Sequence, residues 1–154
     1  MIKQTNLLFY IFISTFLHSQ VVINELMVQP YNDSDEVLSE FIELYNVGLD
    51  SVDLSGWVVS TDVNDTFGGE TASFTISDLT IEPNSYAVLS VSDNSLFNLG
   101  IPVDYAWGFA AGFTLHNTCA SISLDCGEDC IGDIIYYCND HGFDIQEGKS
   151  VELI

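Results

Sequence analysis

The sequence predicts an all-β protein of antiparallel strands, closed as a two-sheet sandwich or as a barrel. From Val21 onward, β-branched and aromatic residues recur in short runs broken by Gly, Asn, Asp and Pro, and no helical stripe of useful length appears among them. Several runs alternate with a period of two. In Phe41-Ile42-Glu43-Leu44-Tyr45, Ile42 and Leu44 share one face while Glu43 turns to the other, as a half-buried strand requires. Many short strands without crossover helices leave antiparallel pairing as the way to join them.

Taken in order, the chain opens with Lys3 and no acid before Glu25, and an apolar run, Leu7 to Leu17, precedes His18, Ser19 and Gln20. A positive start, a short apolar centre and a small residue afterwards predict a signal peptide over residues 1–20; a spanning helix needs about 20 apolar residues. The domain then runs from 21 to 154, and no membrane-spanning segment is expected once the signal is removed. Its predicted strands are Val21 to Val28, Glu40 to Asn46, Gly56 to Ser60, Ser73 to Ile76, Tyr86 to Val91, Phe113 to Leu115, Ala120 to Leu124, Ile131 to Tyr137 and Ser150 to Ile154. The stretch from Ser92 to Gly112 is less regular, and Pro102 argues against a central strand there.

Composition narrows the partners. The 154 residues hold 23 Asp and Glu against two lysines and no arginine. Without Lys3, one lysine faces the same 23 acids, a net charge of −22. Such a surface cannot neutralise phosphates, which excludes nucleic acid and docking on anionic lipid. A hydrophobic share of 47% is too high for a chain that fails to collapse. The remaining partners are protein or polysaccharide surfaces.

Three stretches then become recognisable in order: Val22-Ile23-Asn24-Glu25-Leu26-Met27, Glu40-Phe41-Ile42-Glu43-Leu44-Tyr45-Asn46 and Val52-Asp53-Leu54-Ser55-Gly56-Trp57. Together with Ile81-Glu82-Pro83-Asn84-Ser85-Tyr86-Ala87-Val88-Leu89 and Ser121-Ile122-Ser123-Leu124, they resemble the lamin tail domain. The resemblance implies an immunoglobulin-like antiparallel β-sandwich, found in nuclear lamins and in many secreted bacterial proteins, and it brings no catalytic residues. Family members usually continue past the strand that Ser150 to Ile154 resembles, so this domain is read as lacking its last strand or as completed by something else.

The matching residues have structural tasks. Trp57 after Gly56 is expected to bury a large apolar area at a strand entrance, and Ile42, Leu44 and Leu54 to form the core with Ile23, Val88 and Leu89. Asn46, followed by Val47 and Gly48, is expected to hydrogen-bond its own turn. Glu25 and Glu43 sit mid-strand, where they either face solvent or cap neighbouring backbone amides, or else form an acidic patch that faces a ligand.

The four cysteines follow C-x6-C-x3-C-x7-C at Cys119, Cys126, Cys130 and Cys138. An even count in an exported chain favours two disulfides over a four-thiolate zinc site, which usually shows two close pairs. A hairpin across the flanking strands would nest Cys126–Cys130 inside Cys119–Cys138, with a bulge absorbing the one-residue difference in register.

Loop acids at Asp33, Asp35, Asp62 and Asp65 are weak calcium candidates. The run from Asp62 to Gly68 fails as an EF-hand loop, because its Gly comes one position late and Ser73 stands where the bidentate Glu belongs. The chain has no G-x-S-x-G, H-E-x-x-H, P-loop or dinucleotide fingerprint. The sequence therefore predicts a secreted or cell-surface, acidic, non-enzymatic module without a cofactor. The competing reading is a small secreted hydrolase, or a calcium-dependent binding domain, that uses clustered acids.

Overall fold

The computed structural model describes residues 20–31, 36–63, 71–127 and 132–153, and the side chains of all of these except 36, 37 and 141. Eleven strands, all short, are present among them. One sheet has five strands: β1 (Val21–Met27), β2 (Phe41–Asn46), β7 (Tyr86–Ser90), β8 (Tyr105–Ala106) and β11 (Val151–Glu152), in the order β11-β1-β2-β7-β8. The second has four: β4 (Val58–Asp62), β5 (Thr71–Thr75), β9 (Cys119–Asp125) and β10 (Asp133–Cys138), in the order β10-β9-β4-β5. A two-stranded pair, β3 (Val52–Asp53) with β6 (Thr80–Ile81), completes the fold.

The strands exist because alternation gives each sheet one apolar face. Ile23, Leu26, Ile42, Leu44, Ala87 and Leu89 line the inner side of the five-stranded sheet, and Val59, Phe74, Ala120, Ile122 and Leu124 that of the other; all are buried in one cluster. Burying these faces against each other is the main favourable term in such a fold. Ile42, Leu44 and Leu54 are at most 1% exposed within it.

Trp57 is not among the buried residues. It is only partly covered and packs against the margin of the cluster, where a tight turn places it. That turn is closed by the Trp57 N–H donating to the Leu54 carbonyl, and Gly56 takes φ +90°, a conformation that side-chain-bearing residues avoid. Trp107 holds the central aromatic position instead, stacked on Phe74 at 5.1 Å and meeting Phe113 edge-on at 5.3 Å. Val88 also departs from expectation. It pairs with Glu43 on the outer face, while its neighbours Ala87 and Leu89 point inward.

Phe113 to Leu115 is not a strand, although both residues are buried. Side chains from elsewhere satisfy the backbone of this stretch and of the residue after it: Trp107 Nε1 donates to the Phe113 carbonyl (3.2 Å), the Leu115 N–H donates to Glu40 (2.8 Å), and the Tyr137 hydroxyl donates to the His116 carbonyl (3.0 Å). β8 runs parallel to β7, the one parallel pairing among the described strands, and lies at the sheet edge three residues past Pro102. Among the described residues no helix is long and apolar enough to cross a membrane.

Candidate functional site

The outer face of the five-stranded sheet is built by a fault in alternation. Between Ile23 and Glu25 the β1–β2 register shifts, and the extra residue is Asn24. Beyond this bulge Leu26 returns to the core and Glu25 turns outward, directly opposite Glu43 on β2 and Glu152 on β11. Three carboxylates thus stand in one cross-strand row. The Asn24 side chain is itself buried and donates to Glu43 Oε1 at 2.6 Å, which fixes that carboxylate on the face.

Two residues further along β2 comes an aromatic row. Tyr45 is paired with Val22 on one side and with Tyr86 on the other, and the two tyrosine rings stack with centroids 4.5 Å apart and planes 25° from parallel. Tyr86 is 55% exposed, so this stack is open to solvent on a sheet face. In the opposite direction the face is closed. Phe41 and Ser90 point outward yet are buried, and the neighbouring 3-10 turn Glu36–Ser39 is tied to the 94–101 loop by the Ser39 hydroxyl donating to the Phe97 carbonyl at 2.8 Å.

The outer face of the four-stranded sheet has another character. Ser60, Ser73, Ser121 and Ser123 project from neighbouring positions of β4, β5 and β9, flanked by the exposed Ile134 and Tyr136 of β10. Asp62, a calcium candidate, ends β4 on this face beside Ser121 and Thr71. Asp33, Asp35 and Asp65 lie outside the described residues. Among the described residues no three His, Cys, Asp or Glu side chains are gathered to hold a metal ion.

Cys119 and Cys138 face each other across the β9–β10 hairpin and form a disulfide, with Cα atoms 4.1 Å apart. Cys126 is disulfide-bonded as well, while Cys130 falls outside the described residues. Gly132 starts the returning strand at a point where any Cβ would collide with the Leu124 carbonyl, so only glycine fits there.

Asn46 is fully buried: its amide donates to the carbonyls of Asp50 and Ile81, each at 2.9 Å, and its oxygen accepts the Gly48 N–H at 2.9 Å. Of the two histidines beyond residue 20, His116 contacts Thr118 Oγ1 through Nδ1 at 3.0 Å, and the His141 side chain is outside the described part. An open depression lined by Asn139, Gly142, Phe143, Asp144 and Ile145 has no convergent carboxylates. The signal that sequence reading missed is the pair Tyr45 and Tyr86: they are 41 positions apart in the chain, and only strand pairing stacks them.

Two face-packed antiparallel sheets with an open aromatic and acidic outer face define an immunoglobulin-like sandwich of the kind used for interaction. The family model described as Lamin Tail Domain matches residues 16–147, and the chain belongs to that family. No curated protein matches the chain closely enough to add a relative.

Proposed function

We propose that the protein is an exported, non-enzymatic module that attaches to a protein or polysaccharide surface, either at the cell surface or as part of a larger exported polypeptide. On this reading, residues 1–20 are removed as a signal and 21–154 form the working domain. The Cys119–Cys138 bridge supports export, since such bonds persist in oxidising compartments.

One contrast carries the reading. Among the described residues, the buried carboxyl of Glu40 and phenol of Tyr137 are committed to the backbone of residues 115 and 116, whereas the stacked pair Tyr45–Tyr86 keeps Tyr86 exposed on the family's sandwich scaffold. Stacked aromatics on a rigid sheet offer contact area at little cost in conformational entropy, which is how recognition surfaces are built.

The test is to incubate the purified protein with immobilised polysaccharides and with exported proteins of its host, then to recover the ligand. Saturable binding with the ligand returned intact is the expected result. Conversion of the ligand would replace this reading with a hydrolase.

A further inference from the structure

We propose that the open half of the five-stranded sheet's outer face docks an extended polypeptide segment bearing arginine or lysine at alternate positions. The inference rests on the interaction-module reading above and names the partner of that surface.

The first argument is charge. Glu152, Glu25 and Glu43 lie side by side on three adjacent strands, and like charges directly opposite one another destabilise a sheet. The Asn24 bulge creates this row; in regular alternation Glu25 would point inward. The Asn24 amide, a neutral donor, holds Glu43 in place. Lys149, the only cationic side chain of fixed charge beyond Lys3, donates to Gln146 instead, at 2.5 Å. A row of carboxylates brought together against its own repulsion is relieved by a cation from outside.

The second argument is the neighbouring aromatic row. Tyr45 and Tyr86 stack on each other beside the carboxylates, with Tyr86 55% exposed, and a cation against the open side of a tyrosine ring is attracted by its quadrupole. A planar guanidinium can stack on such a ring and bind a carboxylate in bidentate fashion. A hard metal ion would gain nothing from the tyrosines.

The third argument is spacing. Glu43 and Tyr45 are two residues apart on β2, and alternate side chains of an extended chain are separated by about 7 Å. A basic residue over the tyrosine stack therefore places its i+2 neighbour over Glu43 and Glu25. The covered end of the face, at Phe41 and Ser90, fixes where the segment stops.

The probe is a fluorescein-labelled peptide of alternating Arg and Ser, titrated into the purified protein at near-physiological salt, with an alternating Glu and Ser peptide as control. Tyr86→Ala and the double variant Glu25→Gln/Glu43→Gln should each weaken binding about fivefold or more. The charge-matched double variant Asp78→Asn/Asp140→Asn, at exposed acids outside the five-stranded sheet, should change it less than about twofold, because exposed charges that do not touch the ligand are screened. Melting curves check folding; removing two like charges should leave the double variant at least as stable as the parent. Equal losses in the charge-matched variant, equal binding by all variants, or no binding of the arginine peptide would each overturn the proposal. If the protein still captures another exported ligand intact, the module reading survives that failure; if it captures none, both fall.

Discussion

The Ile23 N–H donates to Asp133 Oδ2 at 2.8 Å, joining the edge of one sheet to the edge strand of the other. β11 pairs with Glu25 and Leu26 but stops short of Ile23, so this donor would otherwise lack a strand partner. On the opposite flank the Tyr105 hydroxyl donates to the Thr75 carbonyl at 3.0 Å, again from one sheet to the other. Side chains thus occupy backbone groups at both seams, a way of blunting edges that would otherwise pair with another chain.

Replacing Asp133 with alanine should lower stability by about 1–2 kcal/mol, since a hydrogen bond to a charged acceptor is lost and a strand amide is left unpaired. Asp133→Asn retains an acceptor oxygen and should lose less. Urea denaturation of both variants checks this; equal losses would mean that charge, rather than the hydrogen bond, is what matters at the seam.

Glu40 is 2% exposed and accepts the buried Leu115 N–H. Glu40→Ala should cost about 2–4 kcal/mol because it leaves that amide without an acceptor inside the sandwich. Glu40→Gln keeps an oxygen in place and should recover at least half of the loss. The measurement is the denaturation midpoint at unchanged slope.

Thr61 faces inward on β4 between Ala72 and Ile122, and its hydroxyl is the one buried side-chain polar atom without a hydrogen-bond partner among the described residues. Thr61→Val keeps the shape and removes the unsatisfied group. Stability should rise by about 1 kcal/mol, read as a higher melting temperature.

Burial holds the Tyr137 phenol far above the ordinary tyrosine range, and the charge of Glu40 adds to the rise. The fold therefore favours the protonated phenol. Its contribution is fully present below pH 10, where an unfolded tyrosine also keeps its proton, and is lost as pH climbs from there toward the folded value. Above pH 10 the protein should lose about 1.4 kcal/mol of stability per pH unit through this residue. Denaturation at pH 9 and pH 11 should show a smaller drop in Tyr137→Phe, which has no proton to lose.

The long strands were legible because their information is local. The alternation around Ile42 and Leu44 requires no knowledge of partners, and the Gly56 turn and the Asn46 side-chain turn follow from residue type. The two-residue strands β3, β6 and β8 were not legible, since two residues carry no period, whereas the equally short β11 falls within the longer predicted run Ser150 to Ile154. Phe113 to Leu115 was misread because two buried apolar residues flanking an exposed Thr114 alternate like a strand whether neighbouring strands or the side chains of Trp107 and Glu40 satisfy their backbone. Trp57 was overvalued for a related reason: its size is visible in the chain, but its place at the margin is not.

By itself the sequence determined the all-β class, the acidic character and the lamin-tail resemblance, because hydrophobic period, charge count and ordered motifs are properties of the chain alone. Only the tertiary structure decided that Trp107 rather than Trp57 lies in the core, that Asn24 is a bulge, and that Tyr86 meets Tyr45 beside a row of three carboxylates. A single inserted residue reverses which face every later side chain of a strand takes, and cross-strand neighbours are set by register, which no local pattern encodes.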